Sequence, residues 1–369
     1  MNRLLLFNSS NDLALAQGTK EYIAPKSVVQ MERDLSAIAW WWAEEGDAVL
    51  LPAGVDKSSA EAFFAPYKRN VRFINENEKY DTLYNSTGCH FRPEPWGWSA
   101  ATAYRLQRFG VPEWLLPGGE AIERMRALSS REFAAEYIKE LLSDEAAAPF
   151  RGSLVGERMR FIRTIDELRM PERTIFKSPW SSSGRGIFAA NSLDEPSIHD
   201  KLAGFIARQG GFLADKMYDK RLDFALEYYI TEGGKALFLG FSLFVAAGNG
   251  FYGYNFTASE QEIKARITEA GCDSALLESL VDIHGRLLAR NLRGCYCGCV
   301  GIDMLIAFED GQYKVHPCVE INLRMNIGVL ALRVFEIVGY RDIALVPTAR
   351  DSRFCATVKD GRLMITARR

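Results

Sequence analysis

Gly301–Ile302–Asp303–Met304–Leu305, the turn Asp310–Gly311, and Val319–Glu320–Ile321–Asn322–Leu323–Arg324 form the stretch that decides the reading. Asp-Gly between two apolar-alternating runs is a strong two-residue hairpin signal. With Glu309 and Gln312 flanking the turn, the register predicts Asp303 opposite Cys318 and Glu320 diagonal to Asp303. Residues two apart share a strand face, so Asp303, Cys318, Glu320 and Asn322 point one way, unless Pro317 introduces a bulge. Two carboxylates and an amide oxygen on one face suit a hard cation such as Mg²⁺. Arg324 adds a planar fork suited to a phosphoryl group. A solvated strand face fits the same pattern.

Upstream, Thr174–Ile175–Phe176–Lys177 reads as a strand leading to Ser181–Ser182–Ser183–Gly184–Arg185–Gly186 and a second strand at 187–190. Small residues let backbone N–H groups approach phosphate oxygens, and Lys177 adds a point charge. The spacing is not that of a P-loop. On its own such a tip is more often just a surface turn. Between tip and hairpin lie strands at 212–217, 224–230 and 236–245, and a helix capped by Asp273 with Leu276, Leu277, Leu280, Ile283, Leu287 and Leu288 on one face. A helix is also expected over 327–338.

The first ~125 residues read differently, as strands and helices in alternation, which indicates a small, mostly parallel sheet. Val29, Met31, Leu35, Ile38 and Trp42 recur at helical spacing, and a further helix is expected over 58–69. Ser99 caps a helix that stops at Gly110. Loops leaving such strands tend to hold ligands, which singles out 8–12 and 85–98, the latter with Trp96 and Trp98 as ligand anchors or packing plugs. Ser129 with Glu132 fits a capping box for a helix to Ser143, and 144–149 reads as a surface linker.

These blocks, in this order, resemble the ATP-grasp superfamily over about residues 127–338. Lys177 with Ser181–Ile187 resembles its strand lysine and phosphate loop. Leu213–Ala214–Asp215–Lys216–Met217–Tyr218, with Arg221–Leu222–Asp223–Phe224, resembles its adenine and ribose hinge, although Asp215 stands where Glu is common. Asp303, Glu320, Asn322 and Arg324 match its metal-ligand strands. The resemblance implies an α/β and α+β fold: a pre-ATP-grasp-like parallel domain over 1–125, a small subdomain over 126–213 and a large subdomain over 214–369. It implies that Lys177 and Arg131 contact ATP phosphates and that Ser182, Ser183 and Gly184 add loop contacts. Asp215, Lys216, Met217 and Tyr218 would read adenine, and Asp223 would read ribose. Asp303, Glu320 and Asn322 would hold Mg²⁺, or Mn²⁺, with Arg324 and Lys177 as catalytic groups. The implied activity is that of an ATP-dependent carboxylate–amine or carboxylate–thiol ligase, in which a small-molecule carboxylate becomes an acyl phosphate, a nucleophile captures it and ADP is released. A nucleotide-binding relative without turnover and a kinase-like member are the alternatives.

Composition sets the outer bounds. Among 369 residues, 45 Lys and Arg against 47 Asp and Glu give a net charge of −2, which argues against sequence-independent nucleic-acid binding. The longest apolar stretch, 37–43, is far below the ~20 residues of a membrane span. The apolar N-terminal run is too short for a signal-peptide core. Seven cysteines are an odd number and no disulfide framework, so a reduced, cytoplasmic protein is expected. Cys295, Cys297 and Cys299 alternate, which predicts three thiols on one face of a strand. The glycine- and aromatic-rich stretch 248–255 reads as a substrate-pocket lining or a structural loop. A homo-oligomer stays open.

Overall fold

A computed structural model describes every residue except 171, 182–185, 246–252 and 369. The chain divides into two compact units. The first comprises Met1–Glu123, Phe251–Ala258 and Arg324–Arg369, the second Arg124–Gly250 and Ser259–Leu323. Residues 324–369 thus group with the N-terminal unit rather than with 214–323. Their attachments explain this. Strand Tyr254–Phe256 pairs with Arg362–Ala367, which pairs in turn with Phe354–Lys359. Trp41 donates its indole N–H to the Leu345 carbonyl at 2.6 Å, and Asp34 accepts from the backbone N–H groups of Arg353 and Phe354.

In the first unit, four parallel strands run in the order Arg72–Asn75, Ala48–Leu51, Arg3–Leu6, Arg92–Pro95. Leu4–Leu6 and Ala48–Leu51 are buried throughout, as strands covered on both faces must be. The stretch expected as a ligand loop, 85–98, instead supplies the edge strand Arg92–Pro95. Its two prolines are tolerated there because an edge strand can spare N–H groups. Trp96 is buried with its ring edge-on to Phe7 and Trp42.

The long helical pattern after Val29 also resolves differently. An α-helix covers Lys26–Asp34, and a 3₁₀ segment covers Ser36–Trp42. Three residues per turn send consecutive side chains in different directions, and Trp40, Trp41 and Trp42 are all buried. Trp40 stacks on Phe64 at 4.4 Å. The helix expected over 58–69 ends earlier, at Phe64, and a 3₁₀ turn follows it. Helix Ala100–Phe109 is as expected, with Ser99 accepting from Thr102 N–H and Gly110 at φ 104° ending it.

The second unit contains two antiparallel sheets. The smaller has the order Arg160–Ile162, Phe212–Lys216, Thr174–Lys177, Ile187–Ala190. Phe176 and Phe212 pack with Leu202 of helix Pro196–Gln209 in its core. The larger brings together Gln312–Asn322, Gly298–Glu309, Lys220–Ile230 and Ala236–Val245. Helix Ser274–Leu292 buries the six aliphatic residues expected of it, each contributing about 2 kcal/mol on full burial. Asp310 and Gly311 take φ of 52° and 80°, the left-handed pair a tight hairpin turn requires.

Three local expectations are corrected here. Ser130, not Ser129, caps helix Arg131–Ser143, and it accepts from Phe133 N–H. Residues 144–149 are no linker: Asp144 caps a 3₁₀ segment, Glu145–Ser153, that buries Ala147. The three thiols do not share a strand, because the strand begins only at Gly298; Cys295 instead hydrogen-bonds the Leu292 carbonyl at the end of the preceding helix. None of the seven cysteines is in a disulfide. Among the described residues no helix is long and apolar enough to cross a membrane. A parallel α/β sheet followed by two antiparallel sheets is the architecture implied by the ATP-grasp motifs.

Candidate functional site

The acidic hairpin departs from simple counting at one point. Leu305 opposes His316, as the turn predicts, but Asp303 opposes Glu320 and Gly301 opposes Asn322. Met304 alone therefore faces Pro317, Cys318 and Val319. Proline has no N–H for the ladder, and the surplus residues form a bulge. The register expected for Asp303, opposite Cys318, is corrected accordingly. Glu320 moves from a diagonal to a direct partner of Asp303, where Cβ atoms lie about 5 Å apart. Asn322 follows on the same face. Ile302 and Ile321, facing the other way, are buried in the core.

Arg131 joins this ladder to the lysine strand. Its Nη2 donates to Glu320 Oε1 at 2.7 Å, and its Nη1 donates to the Ser178 carbonyl and to Ser181 Oγ, both at 2.7 Å. The side chain is almost wholly buried, and its position as the first residue of helix Arg131–Ser143 fixes it. Lys177, at the end of its strand, is buried too. Burial foremost, then the charge of Arg131, pushes its ammonium below the ordinary lysine value, while Glu320, Asp215 and Asp303 pull it back. Those five charges therefore act on one locality. Burial raises the Asp223 carboxyl, against a 2.6 Å hydrogen bond from Lys220 and the charge of Lys177. Burial and the neighbouring Asp303 hold the Cys318 thiol far up, as a neutral group. Ser182, Ser183 and Gly184 lie outside the described residues.

At the hinge, Asp215 is buried and turned towards the hairpin. Its Oδ2 lies 2.9 Å from His316 Nε2, and its Oδ1 accepts from Lys216 N–H at 2.8 Å. Met217 N–H donates to the Arg173 carbonyl. Lys216 Nζ sits 2.5 Å from Glu309 and 3.0 Å from Glu172. Tyr218 is buried, and its hydroxyl accepts from Gly156 N–H at 3.1 Å. A cavity of about 280 Å³ opens beside Thr174, Asp215 and Lys216, with Arg158, Arg160 and Arg169 on its wall. Period-two counting back from Cys318 puts His316 on the face expected of Asp303, and nothing more in the sequence marks it. Its partner, 101 positions away, carried no local signal.

Arg324 belongs to the first unit. Its Nε lies 2.9 and 3.1 Å from the two carboxylate oxygens of Asp12, and its Nη2 lies 2.9 Å from Oδ2. Asp12 stands in the first turn of helix Asn11–Gln17. The arginine fork expected to meet a phosphoryl group is thus held by a carboxylate from the first turn of that helix.

The hairpin donors are two carboxylates and one amide oxygen, all hard, and this set fits Mg²⁺. Among the described residues no group of three Asp, Glu, His or Cys side chains forms a metal cage. Such an ion would therefore take its remaining ligands from phosphate oxygens and water, the usual arrangement for Mg²⁺ beside a nucleotide.

No protein-family model and no curated protein matches the chain in sequence. In structure it is similar to several solved ligases and synthetases. An L-amino acid ligase from Bacillus licheniformis is 12% identical with a TM-score of 0.41, over 90% of this chain and 69% of the other. A phosphoribosylamine–glycine ligase from Thermotoga maritima is 14% identical with a TM-score of 0.47, over 99% and 90%. An N5-carboxyaminoimidazole synthetase from Staphylococcus aureus complexed with ADP is 13% identical with a TM-score of 0.43, over 97% and 82%.

Proposed function

We propose that this chain is an ATP-grasp ligase, which uses ATP to convert a small-molecule carboxylate into an acyl phosphate for capture by an amine or another nucleophile, with release of ADP. The observation that carries this reading is the convergence of Arg131 and Lys177 on the Asp303–Glu320 ladder. Two buried cations and two opposed carboxylates supply charge of both signs at one place, as a nucleotide triphosphate with its divalent ion requires.

In this reading Lys177 and Arg131 bind phosphate oxygens and hold them still. Main-chain groups of Lys216, Met217 and Tyr218 border adenine, and Asp223 accepts from ribose hydroxyls. Asp215 acts by fixing the hinge against His316. Asp303, Glu320 and Asn322 hold Mg²⁺, which when bound neutralises charge on the transferring phosphoryl group. By the motif order, Arg324 is read as the catalytic arginine, and Ser182, Ser183 and Gly184 as further phosphate contacts. Phosphoryl transfer needs positioning and charge neutralisation rather than a covalent nucleophile.

The test is nucleotide turnover with Mg²⁺ across a panel of amino acids, dipeptides and hydroxy acids. ADP release that depends on a carboxylate and a nucleophile together is the expected result. AMP release would replace this reading with adenylating chemistry. Carboxylate-dependent ADP release that no nucleophile accelerates would replace it with a kinase.

A further inference from the structure

The first unit contains a cavity of about 570 Å³ that lies wholly within Met1–Glu123. It opens over the strand ends that precede Asn8, Glu76 and Ser99, the side of a parallel sheet where ligands bind. Its volume falls within the range of small-molecule sites. Its walls carry charge of both signs: Glu21, Glu32 and Glu76, with Lys20, Arg105 and Arg108.

Glu32 is the unusual member. It is buried, 8% exposed, yet lines the cavity. Its Oε1 accepts from Ser10 N–H at 2.7 Å. Burial raises its carboxyl above the ordinary value, with the Ser10 hydrogen bonds and the charge of Arg105 pulling it back. Arg105 does not reach it as an ion pair, because its Nε is committed to Glu76 at 2.5 Å. A cation entering the cavity would favour the ionised form of this carboxyl and pair with it, because an opposite charge nearby offsets the effect of burial. Elsewhere on the wall, Lys20 Nζ and the Arg108 guanidinium lie 5.7 and 6.0 Å from the centre of the Tyr104 ring. Both are exposed, so a ligand anion can meet them beside an aromatic face.

We infer that this cavity binds a small zwitterion of the amino-acid or short-peptide class, with its ammonium on Glu32 and its carboxylate on Arg108 and Lys20. Only in making that ligand a reactant does the inference rest on the ligase reading; binding itself requires no nucleotide.

The experiment is calorimetric titration of the full chain, without nucleotide, using L-amino acids and dipeptides, each beside its N-acetylated form. At least one parent compound binds, and acetylation, which removes the ammonium charge, weakens it by about tenfold or more. Glu32→Gln produces the same loss while still accepting from Ser10 N–H. Ala101→Phe, which fills the cavity from the helix side, abolishes binding by volume alone and serves if Glu32→Gln fails to fold. Acetylated and parent compounds binding equally, no parent binding at millimolar concentration, or unchanged binding to a folded Glu32→Gln would each overturn the site. Lys177→Ala keeps zwitterion binding. A wild-type chain that binds zwitterion but no MgADP would refute the ligase reading and leave this site standing.

Discussion

Arg131 and Glu320, 189 positions apart in sequence, meet at 2.7 Å, so the residue that opens one helix neutralises an acid on a distant hairpin. Glu320→Gln keeps an oxygen to accept from Arg131 Nη2 and removes one negative charge. ADP release should fall by about 100-fold or more, while the melting temperature should stay within a few degrees. A coupled ADP assay beside a circular-dichroism melt reads both. A rate equal to wild type would take Glu320 out of the site.

Arg131 should not be replaceable by lysine. Its two terminal nitrogens serve Glu320, Ser178 and Ser181 in one plane, a geometry an ammonium cannot copy. Arg131→Lys should therefore raise KM for ATP by about tenfold, with kcat less affected. Steady-state kinetics at varied ATP separates the two; an unchanged KM would show that the cation matters only as charge.

Lys177 titrates in a direction that can be checked. Its folded pKa lies below the unfolded 10.5, so the unfolded chain holds the extra proton through the window between the two values. Stability contributed by this residue thus rises as pH climbs through that window. Affinity for nucleotide should move the opposite way, since the neutral amine no longer attracts phosphate. Titrating an ATP analogue from neutral to alkaline pH should show weakening below the ordinary lysine range. Lys177→Met should lack that transition, bind weakly throughout, and melt higher than wild type because the desolvation cost of an ammonium buried beside Arg131 is gone.

How far these features were legible depends on the range of the interaction that sets them. Strands Thr174–Lys177 and Ile187–Ala190, helix Ile327–Val338 and the Asp310–Gly311 turn lie at the expected bounds, because neighbouring residues dictate them. The Asp303–Glu320 pairing was not countable from the turn. Pro317 marked the site of a bulge, but not how many residues it would absorb, and one count moves a carboxylate from diagonal to direct partner. Arg131 was placed by its position in the motif order, whereas its bonds to Ser178 and Glu320 depend on packing between separate elements. The buried tryptophans read as helix because both helix types can bury an apolar run.

Gly156 and His316 test the hinge. Gly156 has φ of 110°, and a Cβ there would lie 2.4 Å from Ile138 Cδ1 and 2.9 Å from His316 Nε2. Gly156→Ala should cost about 2–3 kcal/mol through backbone strain and overpacking. His316→Ala should cost about 2 kcal/mol by leaving the buried Asp215 oxygen without its donor. The two sites are in contact, so their effects should fall short of additive in a double-mutant cycle. Strict additivity in urea melts would mean that Gly156 does not act through the Asp215–His316 pair.

His284 supplies the acid limb of the stability profile. It is fully buried, with Nδ1 2.9 Å from the Tyr137 hydroxyl, and burial pulls its pKa from 6.5 down to about 3, against a pull upward from the Pro317 backbone. The folded state therefore holds a neutral ring where the unfolded chain would take a proton. Stability from this residue is complete above pH 6.5 and is lost as pH falls from there towards 3. Between pH 6.5 and 5 the loss is about 2 kcal/mol, at about 1.4 kcal/mol per unit. Urea unfolding at pH 7 and pH 5 should register that difference in wild type. His284→Gln keeps a polar partner for Tyr137 without a titrating group, and it should lower stability at pH 7 while flattening the slope. An equally steep slope in the variant would assign the acid limb to other groups.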